Sequence, residues 1–102
     1  MFAAVWAFEV EADRVVEFVS AYGPEGDWSV LFASAEGYEG TELLADASRP
    51  GRYLTIDRWA SEASYDLFMR DRVAEYEAVD VRLEGLATRE VPLGTFVTVE
   101  GR

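Results

Sequence analysis

Large and small apolar residues alternate along Met1–Val10. Phe2, Trp6, Phe8 and Val10 share one face, and Ala3, Val5 and Ala7 the other. Period-two patterning predicts a strand, and apolar character on both faces predicts a central one. The period then lengthens. Asp13 stands where an N-cap belongs, and Val15, Phe18, Val19 and Tyr22 follow at helical spacing until Gly23 and Pro24 close the stripe. Asp27 is placed to cap a second, short helix carrying Trp28, Leu31, Phe32 and Ala35, which Gly37 ends. Tyr38–Asp46 and Arg52–Trp59 predict two strands joined by Ala47–Gly51, where Pro50-Gly51 suits a turn. Ser61 is an N-cap for a helix presenting Tyr65, Phe68 and Met69. Asp71 restarts or kinks that helix, and Val73, Tyr76, Val79, Leu83 and Leu86 continue it. A last strand is expected within Val91–Val99, irregular at Pro92 and Gly94.

The element order is β-α-(α)-β-β-α-(α)-β, which predicts an α+β, ferredoxin-like split βαβ fold with a four-stranded antiparallel sheet. Residues 1–102 are expected to form one domain, because compact domains most often run to roughly 100–150 residues. Helices can cover only one sheet face, yet the strands carry large side chains on both. The second apolar face requires a cover, and a second copy of the chain is the simplest, so a homodimer is expected.

Composition narrows the chemistry. The chain has 9 Lys plus Arg against 20 Asp plus Glu, a formal charge of −11. That balance excludes nucleic acid and anionic membrane surfaces as partners, since both demand phosphate-neutralising cations. Cys, His, Lys, Asn and Gln are all absent. The absence excludes a thiol nucleophile, a Ser-His dyad, a Schiff base and a P-loop lysine. Chemistry must rest on carboxylates, Tyr, Trp, Arg, Ser/Thr and backbone groups. No segment approaches the roughly 18–20 apolar residues of a membrane span. The apolar start lacks a basic leader and carries Glu9, unlike a signal peptide, so the expected location is cytoplasmic.

The most informative stretch is Arg52-Tyr-Leu-Thr-Ile-Asp-Arg-Trp59. Tyr53, Thr55, Asp57 and Trp59 share one face of the strand, and Leu54, Ile56 and Arg58 the other. The third strand of this fold is interior, so Asp57 is expected mid-sheet, where desolvation raises a carboxylate's pKa unless it is paired. Polar groups among aromatic walls suit a small-molecule pocket. Equally, Asp57 can pair with an Arg across a dimer seam, with Tyr53 and Trp59 as packing. A second candidate is Tyr22-Gly-Pro-Glu-Gly-Asp-Trp28, a tight connection that serves either as the mouth of a pocket or as a capped turn whose aromatics plug the core. Asp80 falls on the stripe of Tyr76 and Leu83, and Asp66 and Arg70 stand at ion-pair spacing. Gly37-Tyr-Glu-Gly40 lacks the lysine and spacing of a phosphate loop, and no nucleotide fingerprint occurs.

With these residues in view, the sequence resembles the antibiotic biosynthesis monooxygenase-like family of the dimeric α/β-barrel superfamily. The resemblance is carried by the first strand with Trp6 and Phe8, by Gly37-Tyr38-x-Gly40-Thr41-Glu42-Leu43, and by Tyr53-Leu-Thr-Ile-Asp-Arg-Trp59 running into Ser61-Glu-Ala-Ser-Tyr65-x-x-Phe68. It covers about Phe2 to Phe96. It implies a homodimer whose two sheets form a barrel, with one pocket per subunit between helices and sheet. Relatives include cofactor-free monooxygenases that deprotonate anthrone-like or hydroquinone-like molecules and let the electron-rich anion react with dioxygen. Trp59 matches the family's pocket tryptophan. By the resemblance, Asp57 is the base available on that strand, with Tyr53 and Trp59 beside it. Trp6, Tyr22, Trp28, Tyr65 and Phe68 would contact substrate, and Arg58 or Arg70 would lend electrostatic support. Haem-degrading relatives use a pocket His and a first-strand Asn; the corresponding places here fall near Arg70 and Trp6, so that scheme is not expected.

The expectation is therefore a homodimer that binds a small aromatic or polyketide-like molecule and oxidises it without cofactor or metal. The alternatives are a non-catalytic ligand-binding or dimerisation module and an acid-base isomerase or decarboxylase of the same fold.

Overall fold

The computed structural model describes residues 1–101. Four antiparallel strands, β1 (Phe2–Glu9), β2 (Tyr38–Ala45), β3 (Arg52–Trp59) and β4 (Arg89–Val97), form one sheet in the order β2-β3-β1-β4. Helices α1 (Val15–Tyr22), α2 (Asp27–Phe32), α3 (Glu62–Asp71) and α4 (Val73–Arg82) fill the two crossovers. The thinnest dimension is 20 Å, the depth of one sheet and one helical layer at about 10 Å each. This is the expected ferredoxin-like α+β arrangement, with β1 and β3 at the centre.

Cross-strand register sorts the side chains into rows on the helix-covered face. Tyr38, Trp59, Phe2 and Val97 form one row, Thr41, Asp57, Ala4 and Thr95 the next, then Leu43, Thr55, Trp6 and Pro92, and finally Ala45, Tyr53, Phe8 and Glu90. The first row seats the core. Trp59 is fully buried, with ring centroids 5.6 Å from Phe32, 5.4 Å from Phe68 and 5.3 Å from Tyr38. Phe18 stacks on Tyr22 at 4.5 Å and meets Phe8 at 5.2 Å, which joins α1 to β1. The second row carries the small Ala4 beside Asp57.

Several helix boundaries depart from the pattern of the sequence. Asp13 caps nothing: the chain makes one 3-10 turn, Ala12–Arg14, and α1 starts after it without a side-chain cap. Val19 lies 44% exposed, because α1 meets the core through Phe18, Ala21 and Tyr22, with Val15 packed at its margin. Asp27 is the first residue of α2 rather than its cap, which is Gly26, and Ala35 falls beyond the helix end. Ser61 does cap α3, its hydroxyl accepting from the Ser64 N–H at 3.1 Å. The interruption anticipated at Asp71 comes one residue later, at Arg72 (φ −120°, ψ 28°). Asp66 and Arg70 do not pair; the Arg70 guanidinium turns to Asp71 at 3.1 Å.

The other sheet face carries no helix. It presents Ala3, Val5, Ala7, Leu54, Ile56 and Phe96, with Leu44 and Leu93 beside them. Leu44, Leu93 and Phe96 are 43%, 45% and 53% exposed, a contiguous apolar surface that an isolated soluble chain rarely leaves open.

Candidate functional site

Asp57 points into the helix-covered side, as alternation from Trp59 requires. The β2–β3 register sets Thr41 directly opposite it, and the Thr41 hydroxyl donates to Asp57 Oδ1 at 2.6 Å. That donation uses the only hydroxyl proton of Thr41, so the Tyr38 phenol, 2.5 Å from Thr41 Oγ1, must be the donor in the second bond. The result is a relay Tyr38–Thr41–Asp57 that fixes the carboxylate's rotamer. Among the described residues, no cation pairs with Asp57. Burial therefore dominates and pushes its pKa up to about 6, with the Thr41 hydrogen bond opposing the shift. The carboxylate is poised near neutrality without a histidine.

A cavity of about 50 Å³ adjoins Asp57, with Thr55 beside it and Trp6, Phe8, Trp28, Phe32 and Tyr76 as its walls. Tyr22, Asp80 and Glu90 complete the lining. α2 positions Trp28, whose ring lies 4.8 Å from Tyr76 and 5.8 Å from Phe32. The connection before α2 is tight: a Cβ on Gly26 would fall against the carbonyl oxygens of Ser20 and Ala21. A larger residue there would displace α2 and Trp28 with it. The Trp28 indole N–H is buried and directed at the Tyr22 hydroxyl, without a hydrogen bond of good geometry.

The phenols around the cavity are held protonated. Burial lifts Tyr22 well above the usual phenol range, Trp28 opposes this, and the Glu90 and Asp80 carboxylates add to it. The Tyr22 hydroxyl donates to Glu90 at 3.1 Å. Burial, with neighbouring Tyr65 and the carboxylates of Asp80, Asp57 and Glu90, pushes Tyr76 up to about 12. Burial also raises Tyr65, as does the charge of Asp57.

Of the residues singled out in the sequence, Trp6, Tyr22, Trp28, Thr55, Asp57 and Asp80 come together at the cavity. The others lie elsewhere. Trp59 and Phe68 are sealed in the core beneath α3. Tyr65 packs between Phe2 (5.2 Å) and Trp59 (5.7 Å). Tyr53 packs on Phe18 at 5.3 Å, two residues along β3 from Thr55 and outside the cavity. Arg58 is on the helix-free face, ion-paired with Glu42, because consecutive strand residues point to opposite sides. Arg70 is exposed on α3 and engaged by Asp71. Neither arginine reaches the cavity, and Asp57, facing the helices, cannot meet a partner through the open face. Thr41, Phe8, Phe32, Tyr76 and Glu90 escaped the sequence reading as site residues. The spacing of Tyr76 and Asp80, one helical turn apart on a single stripe, was the one legible signal among them.

A split βαβ sheet with a desolvated carboxylate beside an aromatic cavity between helices and sheet defines an α+β fold with a candidate site. Residues 1–75 match the sequence profile of the antibiotic biosynthesis monooxygenase (ABM) family, so the chain belongs to that family. Solved structures share the fold at low identity. The cofactor-independent oxygenase SnoaB of Streptomyces nogalater is similar at 16% identity over 98% of this chain and 94% of its own, with a TM-score of 0.67. The heme-degrader MhuD of Mycobacterium tuberculosis, whose active site holds two hemes, is 20% identical over 100% of this chain and 99% of its own, with a TM-score of 0.70. An antibiotic biosynthesis monooxygenase-like protein of Bordetella bronchiseptica gives a TM-score of 0.74 at 17% identity, covering 97% of both chains. No curated protein matches the sequence. Among the described residues no helix is long and apolar enough to cross a membrane, and no group of carboxylates is placed to hold a metal ion.

Proposed function

We propose that this chain is a homodimeric, cofactor-free oxygenase of small phenolic or anthrone-like molecules, with Asp57 as its base. The carrying observation is the Asp57 carboxylate: desolvated, paired by no cation among the described residues, fixed through Oδ1 by Thr41, and beside an aromatic cavity. A substrate C–H or O–H presented there transfers its proton to Asp57, so the negative charge moves from carboxylate to substrate and the site's net charge is unchanged. The resulting anion gives an electron to dioxygen, and the radical pair combines to a peroxide at carbon. Asp57 returns its proton, and loss of water leaves a carbonyl. For an anthrone methylene the sum is CH2 plus O2 to C=O plus H2O, which needs no further reductant. The Trp28 N–H, buried and held only loosely by the Tyr22 hydroxyl, is the donor proposed for the substrate oxygen. The helix-free face supports the dimer, since its exposed Leu44, Leu93 and Phe96 would be buried against a second copy.

One observation favours the rival reading, a binding module without turnover. The cavity of about 50 Å³ is smaller than the roughly 150 Å³ that accommodates benzene, so even a single ring enters only as Trp28 or Tyr76 moves. Oxygen uptake by the purified protein, over a panel of anthrones, naphthols and hydroquinones without metal or flavin, decides between them. Uptake with quinone formation, lost in Asp57→Leu while the dimer persists, is the expected result. Silence over the whole panel, with an aromatic ligand still raising the melting temperature, would leave binding alone.

A further inference from the structure

Resting on the reading of Asp57 as the base, we infer that Tyr38 is a positioning residue for it. Acting through Thr41, its phenol commits Asp57 Oδ1 to accepting a hydrogen bond and leaves Oδ2 to meet the substrate's proton. Tyr38 and Thr41 stand three residues apart, and on a regular strand they would face opposite sides of the sheet. A bulge brings them together. Tyr38 pairs with Trp59, Gly40 with Arg58 and Thr41 with Asp57, so β2 takes three steps where β3 takes two. Gly40 carries the bulge at a φ of 128°, which favours glycine. At the start of β2, the Gly37 carbonyl accepts from the Ala60 N–H at 2.7 Å. The phenol is thereby turned onto Thr41 Oγ1 at 2.5 Å. Its ring packs against Phe32 and Trp59, at 5.6 and 5.3 Å. Packing needs only the ring; the hydroxyl is what the relay uses.

Thr41 has one proton and two lone pairs. Without Tyr38, its hydroxyl could turn that proton away from Asp57. With the Tyr38 proton on Oγ1, the Thr41 proton stays on Oδ1 at 2.6 Å. The same polarity serves both protonation states, a neutral Asp57 carrying its proton on Oδ2. Asp57 lines the cavity, whereas Tyr38 and Thr41 do not, so Oδ1 faces β2 and Oδ2 the cavity. Among the described residues Oδ2 accepts no hydrogen bond and, unlike the buried Trp59 indole N–H, it is not sealed by its neighbours. Hydrogen bonds in series strengthen one another by roughly 10–30%. Tyr38 therefore makes Thr41 a better donor and adds to its opposition to the burial that lifts Asp57. Tyr22 from α1, Tyr65 from α3, Tyr76 and Asp80 from α4 and Glu90 from β4 face the same region. The three phenols are held neutral, and the two carboxylates are common to every variant below. Differences between those variants thus report the relay.

The test is a carbon-13 NMR titration of the Asp57 carboxyl in the full chain, labelled at aspartate and assigned by its loss in Asp57→Asn. Tyr38→Phe keeps the packed ring and should raise the Asp57 midpoint by a few tenths of a pH unit. Thr41→Val should raise it by about one pH unit. The double variant should match Thr41→Val alone, and Thr41→Ser should titrate as the parent does. In oxygen uptake with an anthrone, the acidic limb of kcat should move by the same amounts with KM unchanged, since neither residue touches the cavity. An unmoved midpoint in Tyr38→Phe, or shifts that simply add in the double variant, would overturn the positioning role and spare Asp57 as base. Coupled midpoints in a parent chain that takes up no oxygen would overturn the base, and with it any catalytic use of the relay.

Discussion

Asp57 and Arg58 are consecutive residues of β3 with opposite charges, and the sheet sends them to its two faces. Arg58 goes to the helix-free face, meets Glu42 and keeps access to water. In the single chain its charge is solvated, and the pair contributes only about 0–1 kcal/mol. Asp57 goes under the helices, where a threonine hydroxyl is its hydrogen-bonding partner and burial dominates its titration. The contrast separates a charge that the fold tolerates from one that weakens it. A neutral side chain at 57 could also have partnered Thr41, so the carboxylate is the feature on which the proposed chemistry rests.

The largest expected effect follows from that difference. Asp57→Asn keeps an acceptor for Thr41 and removes the charge, so oxygenation should fall by roughly 10²–10⁴, the range typical of a lost general base, while the protein becomes more stable above pH 6. The sign is fixed by linkage. The folded pKa of about 6 exceeds the unfolded value of about 4, so the stabilisation from the protonated acid is complete below pH ~4 and is lost as pH rises to about 6. The loss is about 3 kcal/mol as an upper bound, and thermal unfolding from pH 4 to 8 should show it in the parent chain and not in Asp57→Asn. A parent chain with no such decline would remove the desolvated base.

The helix-free face provides the next effect. Ile56→Glu lies on the same strand as Asp57 but on the opposite side, and it should prevent dimer formation, as light scattering would show by a halved mass. Burying an unpaired charge there costs about 3–5 kcal/mol, enough to dissociate a dimer at micromolar concentration. A dimer that survives would place the interface elsewhere. Smaller still is Thr41→Val, which removes the donor that holds Asp57 down; its pKa should rise further above 6, moving the acidic limb of the activity profile to higher pH. Smallest is Arg58→Ala, expected to shift stability by less than about 1 kcal/mol and to leave turnover unchanged in the dimer. A loss of turnover there would bring Arg58 back into the chemistry.

How much of this was legible in the sequence depends on the range of the interaction. Alternation placed Asp57 opposite to Arg58 on β3, and the apolar character of both faces of β1 marked it as central. Helix caps were less legible, because Asp13 and Asp27 satisfy a local pattern that the 3-10 turn and Gly26 pre-empt. The site was legible only in part. Nothing near position 57 announces Thr41, which meets Asp57 only through the β2–β3 register. Tyr76, Asp80 and Glu90 reach the cavity through the packing of α4 and the pairing of β4 with β1. Trp59 misled for the opposite reason: an aromatic on the same strand face as Asp57 sits one row further along, and that row is core.

One feature of the sheet bears on how this chain survives at high concentration. The central pair, β1 and β3, runs in unbroken register over eight residues, while both outer strands slip: β2 between Tyr38 and Gly40, and β4 opposite Val5 and Trp6, beside Pro92 and Gly94. Gly40 and Gly94 have φ of 128° and 132°, which other residues rarely adopt. Irregular rims make poor templates for adding strands from another molecule. In the proposed dimer, such rims would favour association that closes on itself over ribbons that lengthen without limit.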